Sequence, residues 1–227
     1  MNFINDIKLA FNKANIVEKI IYINVFLFLL TAIFSTFFIE YFTLPTTFDE
    51  FKSKPWTLIS YAFIHQRIFH VLSNLLVLYY IGNLFLNFHT QKQFLNFYFL
   101  GIIIGGLTFI GYYYLTNKTG TSLGGASAAI STIFIAIATK TPRYALRLRF
   151  IGSVELWVLA SIWVSLSVLQ LANPNNGGAI AHLGGALFGF IYASQLSKGN
   201  DIGIGFERFW DSLVNYFTPK KRSPLKT

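Results

Sequence analysis

The stretch TNKTGTSLGGASAAISTIFIAIATK, residues 116–140, decides how this chain is read. A polar, glycine-containing run closes at Gly125, and an almost wholly apolar, helix-forming segment runs from Ser127 to Thr139. At 1.5 Å per residue that segment rises about 18 Å, well short of the ~30 Å hydrocarbon core of a bilayer. With Lys140 at one interface, Ser127 is expected about 12 Å beneath the opposite surface. The residues before it must then dip into the membrane as irregular backbone. That is tolerated only where protein buries it or water solvates it. The expectation is a wet, outward-facing pocket with Ser127 at its floor.

Composition supports a membrane setting. Of 227 residues, 54% are hydrophobic and 18% aromatic, and the 12% that are charged are about half the share of a globular domain. Apolar segments fall at roughly 20–39, 69–88, 94–115, 127–139, 154–172 and 179–197. All but the fourth approach the length needed to span a bilayer. The first has no small-residue cleavage signature after it and reads as a retained span. The net charge of +9 is a topology signal and points to no nucleic acid. With the N-terminus inside, only Lys52, Lys54, Arg67 and Lys118 of the 18 Lys and Arg residues fall outside. The expected protein is an all-α, polytopic six-helix bundle in the cell inner membrane or plasma membrane, multi-pass, with both termini cytoplasmic. Cysteine is absent, which excludes disulfides, thiolate metal sites and cysteine nucleophiles.

The chain divides into residues 1–19, an apolar six-helix unit at 20–197 and a tail at 198–227. Phe3, Ile7, Ala10, Phe11 and Ala14 recur at helical spacing beside Asp6, Lys8 and Lys13, as in an amphipathic surface helix. Phe206, Phe209, Trp210, Leu213 and Phe217 repeat the pattern before KKRSPLK, a basic patch suited to anionic headgroups. The first loop, 40–68, is rich in aromatics and is expected to lie as short helices at the interface, with Thr47 and Glu50 at capping-box spacing.

Three polar groups stand out in this apolar setting. Ser127 begins its helix, where unpaired N–H groups and the helix dipole favour developing negative charge, and Gly124 and Gly125 permit a tight turn before it. A G-x-S triplet serves equally well as a helix cap. His182 lies in GGAIAHLGGALFGF, on one face with Gly185 and Gly189, and this small-residue face admits a close neighbour. Ser127 and Ser131 form the expected matching face. An intramembrane histidine is a functional candidate by default. His70 and Asn74 are i and i+4 on the second segment, an imidazole and an amide suited to stabilising an oxyanion. None of the nine acids is well placed to orient His182, so a Ser127–His182 dyad is the economical proposal, with no metal and no cofactor.

These residues resemble the rhomboid family of intramembrane serine proteases, bacterial six-helix type. The resemblance spans residues 20–197 and rests on ordered motifs: His70 and Asn74, then Gly125-Ala126-Ser127, then Ala181-His182 with Gly185 and Gly189. It implies Ser127 as nucleophile, His182 as base, and His70, Asn74 and the Ser127 N–H at the oxyanion. It implies transmembrane protein substrates entering between the second and fifth helices. Three positions depart from the pattern: Ala128 in place of glycine, Ser131 in place of a tyrosine that packs on the histidine, and Trp56-Thr57 in place of Trp-Arg. The NPNNGG loop, Asn173 to Gly178, is expected to act as a lid. The rival readings are a silent rhomboid-like protein that escorts membrane helices, and a small transporter. The first commonly lacks the serine or histidine present here, and the second shows paired broken helices where this chain has one.

Overall fold

The computed structural model describes residues 3–149, 152–173 and 175–217. The basic KKRSPLK patch therefore lies outside the described residues. The fold is an all-α polytopic bundle. Its helices are α1 (Phe3–Lys13), α2 (Ile16–Ile33), α3 (Ser35–Phe42), α4 (Phe48–Ser53), α5 (Thr57–Ser60), α6 (Ile68–Leu86), α7 (Gln91–Thr116), α8 (Ser127–Lys140), α9 (Leu156–Gln170), α10 (Gly177–Ser197) and α11 (Ile204–Phe217). By length and composition α2, α6, α7 and α10 are able to cross a membrane, and α8 and α9 are shorter apolar helices.

Three boundaries differ from expectation. The first apolar run is two helices, because Phe34 (φ −117°, ψ 50°) leaves helical geometry between α2 and α3. Hydropathy sums side chains and is blind to such a break. The aromatic rings of α3 then pack on one another, Phe37 on Tyr41 at 5.3 Å and Phe38 on Phe42 at 5.4 Å. The fifth helix is also shorter than expected, at 15 residues. Its first residues instead join a hairpin in which β1 (Ala145–Leu148) pairs antiparallel with β2 (Gly152–Glu155). Leu146 and Val154 are cross-strand partners turned inward, while Arg147 and Ser153 are paired and exposed. Only Val154 and Glu155 of the hairpin fall inside the apolar run at 154–172, and the alternation is a period-2 pattern that hydropathy alone does not read. Finally, Thr47 sits at the α4 N-cap but its side chain makes no capping bond. The Glu50 carboxylate is held by Lys54 Nζ at 3.2 Å instead.

Helix α8 is the axis of the bundle, and two glycine pairs let its neighbours approach. Gly101 and Gly105 of α7 face it from one side, Gly185 and Gly189 of α10 from the other. A Cβ at Gly105 would sit 2.6 Å from the Ala128 Cβ, and one at Gly185 would run into the Ala128 carbonyl. Thr132 meets Gly101 and Gly189 in the same way, and its hydroxyl lies 2.9 Å from the Gly185 carbonyl. The α8 face that receives α10 is therefore Ala128 and Thr132, one residue on from the expected Ser127 and Ser131. A step of 100° around the helix turns Ser131 to α9, where its Oγ accepts the Trp163 indole N–H at 2.9 Å.

The irregular stretch before α8 is satisfied largely by protein. Leu44 and Leu123 exchange backbone bonds of 2.9 and 2.8 Å, and Gly125 N donates to the Tyr61 carbonyl at 2.8 Å. The first loop is anchored in turn by Trp56 Nε1 on the Tyr41 carbonyl (2.8 Å), Ser60 Oγ on the Phe42 carbonyl (2.9 Å) and Tyr61 OH on the Ile102 carbonyl (2.8 Å). These bonds hold the loop although Thr57 stands where a Trp-Arg pattern has arginine. At the far end, α11 is tied to α7 by Lys92 with Glu207 and Asp211, and by Phe99 stacked on Trp210 at 5.9 Å.

Gly189→Ala is expected to destabilise the protein by about 1–3 kcal/mol through overpacking against Thr132. Gly178→Ala, on the same helix with nothing within 4 Å of its Cβ position, is expected to be neutral or stabilising by about 0.4–1 kcal/mol. Thermal unfolding in detergent checks the contrast; equal shifts would remove the packing argument.

Candidate active site

Ser127 is the first residue of α8, and the N-cap position belongs to Ala126, which offers no side-chain bond. Ser127 is therefore no cap. Its Oγ lies 2.7 Å from His182 Nε2, across 55 residues of sequence. The juxtaposition follows from the glycine contacts: Gly185 is one turn from His182 on α10, and Ala128 follows Ser127 on α8. Seating Gly185 on Ala128 brings the hydroxyl and the imidazole together. Both side chains are only partly buried.

His70 and Asn74 of α6 reach the same end of α8. Gly125 has φ +112°, a backbone conformation that side-chain-bearing residues rarely adopt. A Cβ there would lie 2.7 Å from His70 Cε1 and 2.9 Å from His70 Nε2. Gly125 thus lets the turn before Ser127 lie against His70. Asn74 is 6% exposed and donates one amide hydrogen to the His70 carbonyl at 2.8 Å, and among the described residues its second amide hydrogen has no partner. The expected lid is less free than its composition implies. Gly177 and Gly178 already belong to α10, and Asn176 Nδ2 bonds both Tyr112 OH (3.2 Å) and the Leu171 carbonyl (3.1 Å). Pro174 lies outside the described residues.

Comparison with known proteins gives the family. The family model for the rhomboid domain matches residues 52–199, about two thirds of the chain. The chain belongs to the rhomboid family. Two relatives are each 29% identical. One is the Arabidopsis thaliana "RHOMBOID-like protein 12, mitochondrial", over 66% of this chain and 49% of that protein. The other is the Danio rerio "Presenilin-associated rhomboid-like protein A, mitochondrial", over 83% of this chain and 44% of that protein. The chain spans about half the length of these relatives. Their names correct the expected cell inner membrane or plasma-membrane location, since both are mitochondrial proteins. A bias of basic residues reports orientation relative to a membrane and carries no information about which membrane it is. The multi-pass membrane character stands.

Residues that sequence reasoning passed over surround this candidate site. Trp163 and Ser167 of α9, i and i+4, both face His182. The Trp163 and His182 ring centroids are 5.9 Å apart, with planes inclined at 32°. Trp163 Nε1 donates to Ser131 Oγ at 2.9 Å, and Ser131 donates to the Ser127 carbonyl at 2.8 Å. Ser167 Oγ is 3.5 Å from His182 Nδ1. A tryptophan four residues before a serine in an apolar helix has no distinguishing pattern, so nothing in the sequence marked this pair. His65 was passed over too, although a histidine five residues before His70 in an apolar loop was a usable signal. It is 1% exposed, accepts the Ala126 N–H at 3.4 Å and packs edge-on to His70 at 5.2 Å.

His65 lies in the loop ahead of α6. Burial, with the neighbouring His70 adding to it, pushes its pKa down to about 4 from 6.5. The folded protein keeps His65 neutral while the unfolded chain protonates it below pH 6.5. Stability from this group is full above pH 6.5, is lost as pH falls, and levels off below about 4. The loss at full separation is of order 3 kcal/mol. Melting temperatures of wild type and His65→Gln compared from pH 7.5 to 4 check this; parallel curves would contradict it.

Proposed function

We propose that this rhomboid-family protein is an intramembrane serine endopeptidase that hydrolyses a peptide bond in or near the transmembrane segment of membrane-protein substrates. The observation that carries the reading is the 2.7 Å contact between Ser127 Oγ and His182 Nε2. A serine hydroxyl is a weak nucleophile until a base takes its proton, and hydrogen-bond reach to a neutral imidazole meets that need. Ser127 Oγ attacks the scissile carbonyl as His182 Nε2 accepts the hydroxyl proton. The oxygen that gains charge is met by the Ser127 N–H at the start of α8, by His70 and by the free amide hydrogen of Asn74. His182 then gives its proton to the leaving amine. Water deprotonated by His182 hydrolyses the acyl-enzyme and restores Ser127. The sequence of steps needs no metal or organic cofactor.

Substrate helices are proposed to enter beside α9, between it and α6. Supporting this, α9 buries only Leu156, Ala160 and Ser167, and Trp157, Ser161, Ile162, Leu166, Val168 and Leu169 along it are exposed. On the α8 side of α9, Ile135 of α8 and Ala160, Ser161, Val164 and Ser165 of α9 line a groove of about 390 Å³ that no α6 residue lines. The small residues leave space there for a transmembrane segment. Residues 20–197 are proposed as the catalytic unit, with the amphipathic helices on either side lying at the membrane surface. A silent, helix-escorting role has no need of a serine and a histidine in contact.

Purified protein in proteoliposomes should cut a single-pass substrate, and Ser127→Ala and His182→Ala should each slow cleavage by about 10³-fold or more. Cleavage by Ser127→Ala at the wild-type rate would sink the serine mechanism. Asn74→Ala should lower kcat/KM by about 10²–10³-fold, the usual loss for one oxyanion donor. An unchanged kcat/KM would take Asn74 out of that role.

A further inference from the structure

The catalytic reading leaves a gap that chemistry requires to be filled. A base works only in the tautomer that presents a lone pair to the nucleophile, and triads fix that tautomer with a carboxylate on the other ring nitrogen. Here no carboxylate is bonded to His182 among the described residues. The residue four after the nucleophile is Ser131, too small to pack on the ring.

We infer that α9 supplies the missing orientation, with Ser167 setting the tautomer of His182 and Trp163 holding its ring plane from an anchor on Ser131. The inference rests on the reading of Ser127 and His182 as the catalytic pair. The hydrogen-bond directions can be followed one proton at a time. Ser167 Oγ has a single proton, and it goes to the Trp163 carbonyl at 3.0 Å. What Ser167 presents to His182 Nδ1 at 3.5 Å is therefore a lone pair. That partner favours the proton on Nδ1, which leaves Nε2 unprotonated and ready to accept from Ser127 Oγ at 2.7 Å. The opposite tautomer would set two lone pairs, on Nδ1 and on Ser167, against each other.

The ring plane is held by a second chain of bonds. Ser131 gives its proton to the Ser127 carbonyl at 2.8 Å, so its oxygen is free to accept the Trp163 indole N–H at 2.9 Å. The indole, pinned to the nucleophile's own helix, lies beside the imidazole at 5.9 Å. Phe134 packs edge-on against it, its ring 5.8 Å away at a steep 73°. Serines that bond back to the carbonyl four residues earlier are common in apolar helices, and Ser161 does the same on the Trp157 carbonyl. Ser161 is exposed, whereas Ser167 is 3% exposed and turned toward an imidazole nitrogen. Ser167 and Trp163 are positioning residues: neither is assigned a contact with substrate.

The test uses full-length protein in lipid nanodiscs, with ¹⁵N-labelled histidine and a His182→Gln sample to assign the His182 signals. Wild type should show His182 protonated on Nδ1 and bare on Nε2. Ser167→Ala should mix the tautomers and lower kcat by roughly 10–100-fold at nearly unchanged KM and melting temperature, the scale of a slightly misplaced catalytic group. Ser167→Thr, which keeps the hydroxyl, should restore both. Trp163→Phe and Ser131→Ala remove the two ends of one hydrogen bond, so their combined effect on kcat should be no larger than the greater single effect. A Ser167→Ala protein with wild-type tautomer signals and wild-type kcat would overturn the inference, as would additive losses in the double variant for the Trp163 arm. Were wild type itself inactive on every substrate, the protease reading would fall, while the tautomer signals would still decide the role of Ser167.

Discussion

The rest of the structure depends on how closely α8 is approached from both sides. Gly101 and Gly105 of α7 and Gly185 and Gly189 of α10 all converge on Ala128 and Thr132. In a bilayer the hydrophobic effect does not drive helices together, because lipid is as apolar as they are. Association comes from van der Waals contact and interhelical hydrogen bonds, and both improve when no Cβ stands between the backbones. Thr132 uses this proximity by bonding the Gly185 carbonyl at 2.9 Å across the interface. The same contact places His182, one turn from Gly185, over the serine that precedes Ala128.

Polar groups in this apolar bundle are connected rather than scattered. The Ser127 carbonyl, Ser131, Trp163, Ser167, His182 and the Ser127 hydroxyl form a closed circuit across α8, α9 and α10. Each member uses the donors and acceptors that its neighbours need, which suits groups for which unsatisfied polarity in a low-dielectric interior is costly. On the other side of Ser127, the stretch 122–126 is stitched to the first loop through Leu44, Tyr61 and His65. The first loop thus contributes the backbone partners that let an irregular segment reach the site. One surrounding structure shapes both Ser127 and the turn that lies against His70.

Much of this was legible in one dimension. The short fourth segment, the glycine turn before Ser127, the His182 face with Gly185 and Gly189, and the His70–Asn74 pair each follow from spacing along a regular helix. Hydropathy found the six apolar segments but misplaced the end of the first and the start of the fifth, because it responds to neither a break at Phe34 nor the alternation of the 145–155 hairpin. The helix face chosen for Ser127 was off by one residue, since two faces 100° apart both carried small side chains. Locating the membrane itself lay beyond a charge count, which orients a protein without saying where it resides.

Composition and periodicity were enough to specify a polytopic bundle, a serine at a helix start and a histidine on a glycine-lined face. These are local properties, written in residues at most one or two helical turns apart. What holds the histidine was settled in three dimensions. Trp163 and Ser167 look like ordinary members of an apolar helix until α9 is packed against α8 and α10, and the departure at Ser131 looks like a loss until the indole of Trp163 is seen bonded to it. Contacts across helices depend on how each helix is rotated and how closely it is seated. Those two quantities come from the summed packing of the whole bundle and are not encoded at any single position.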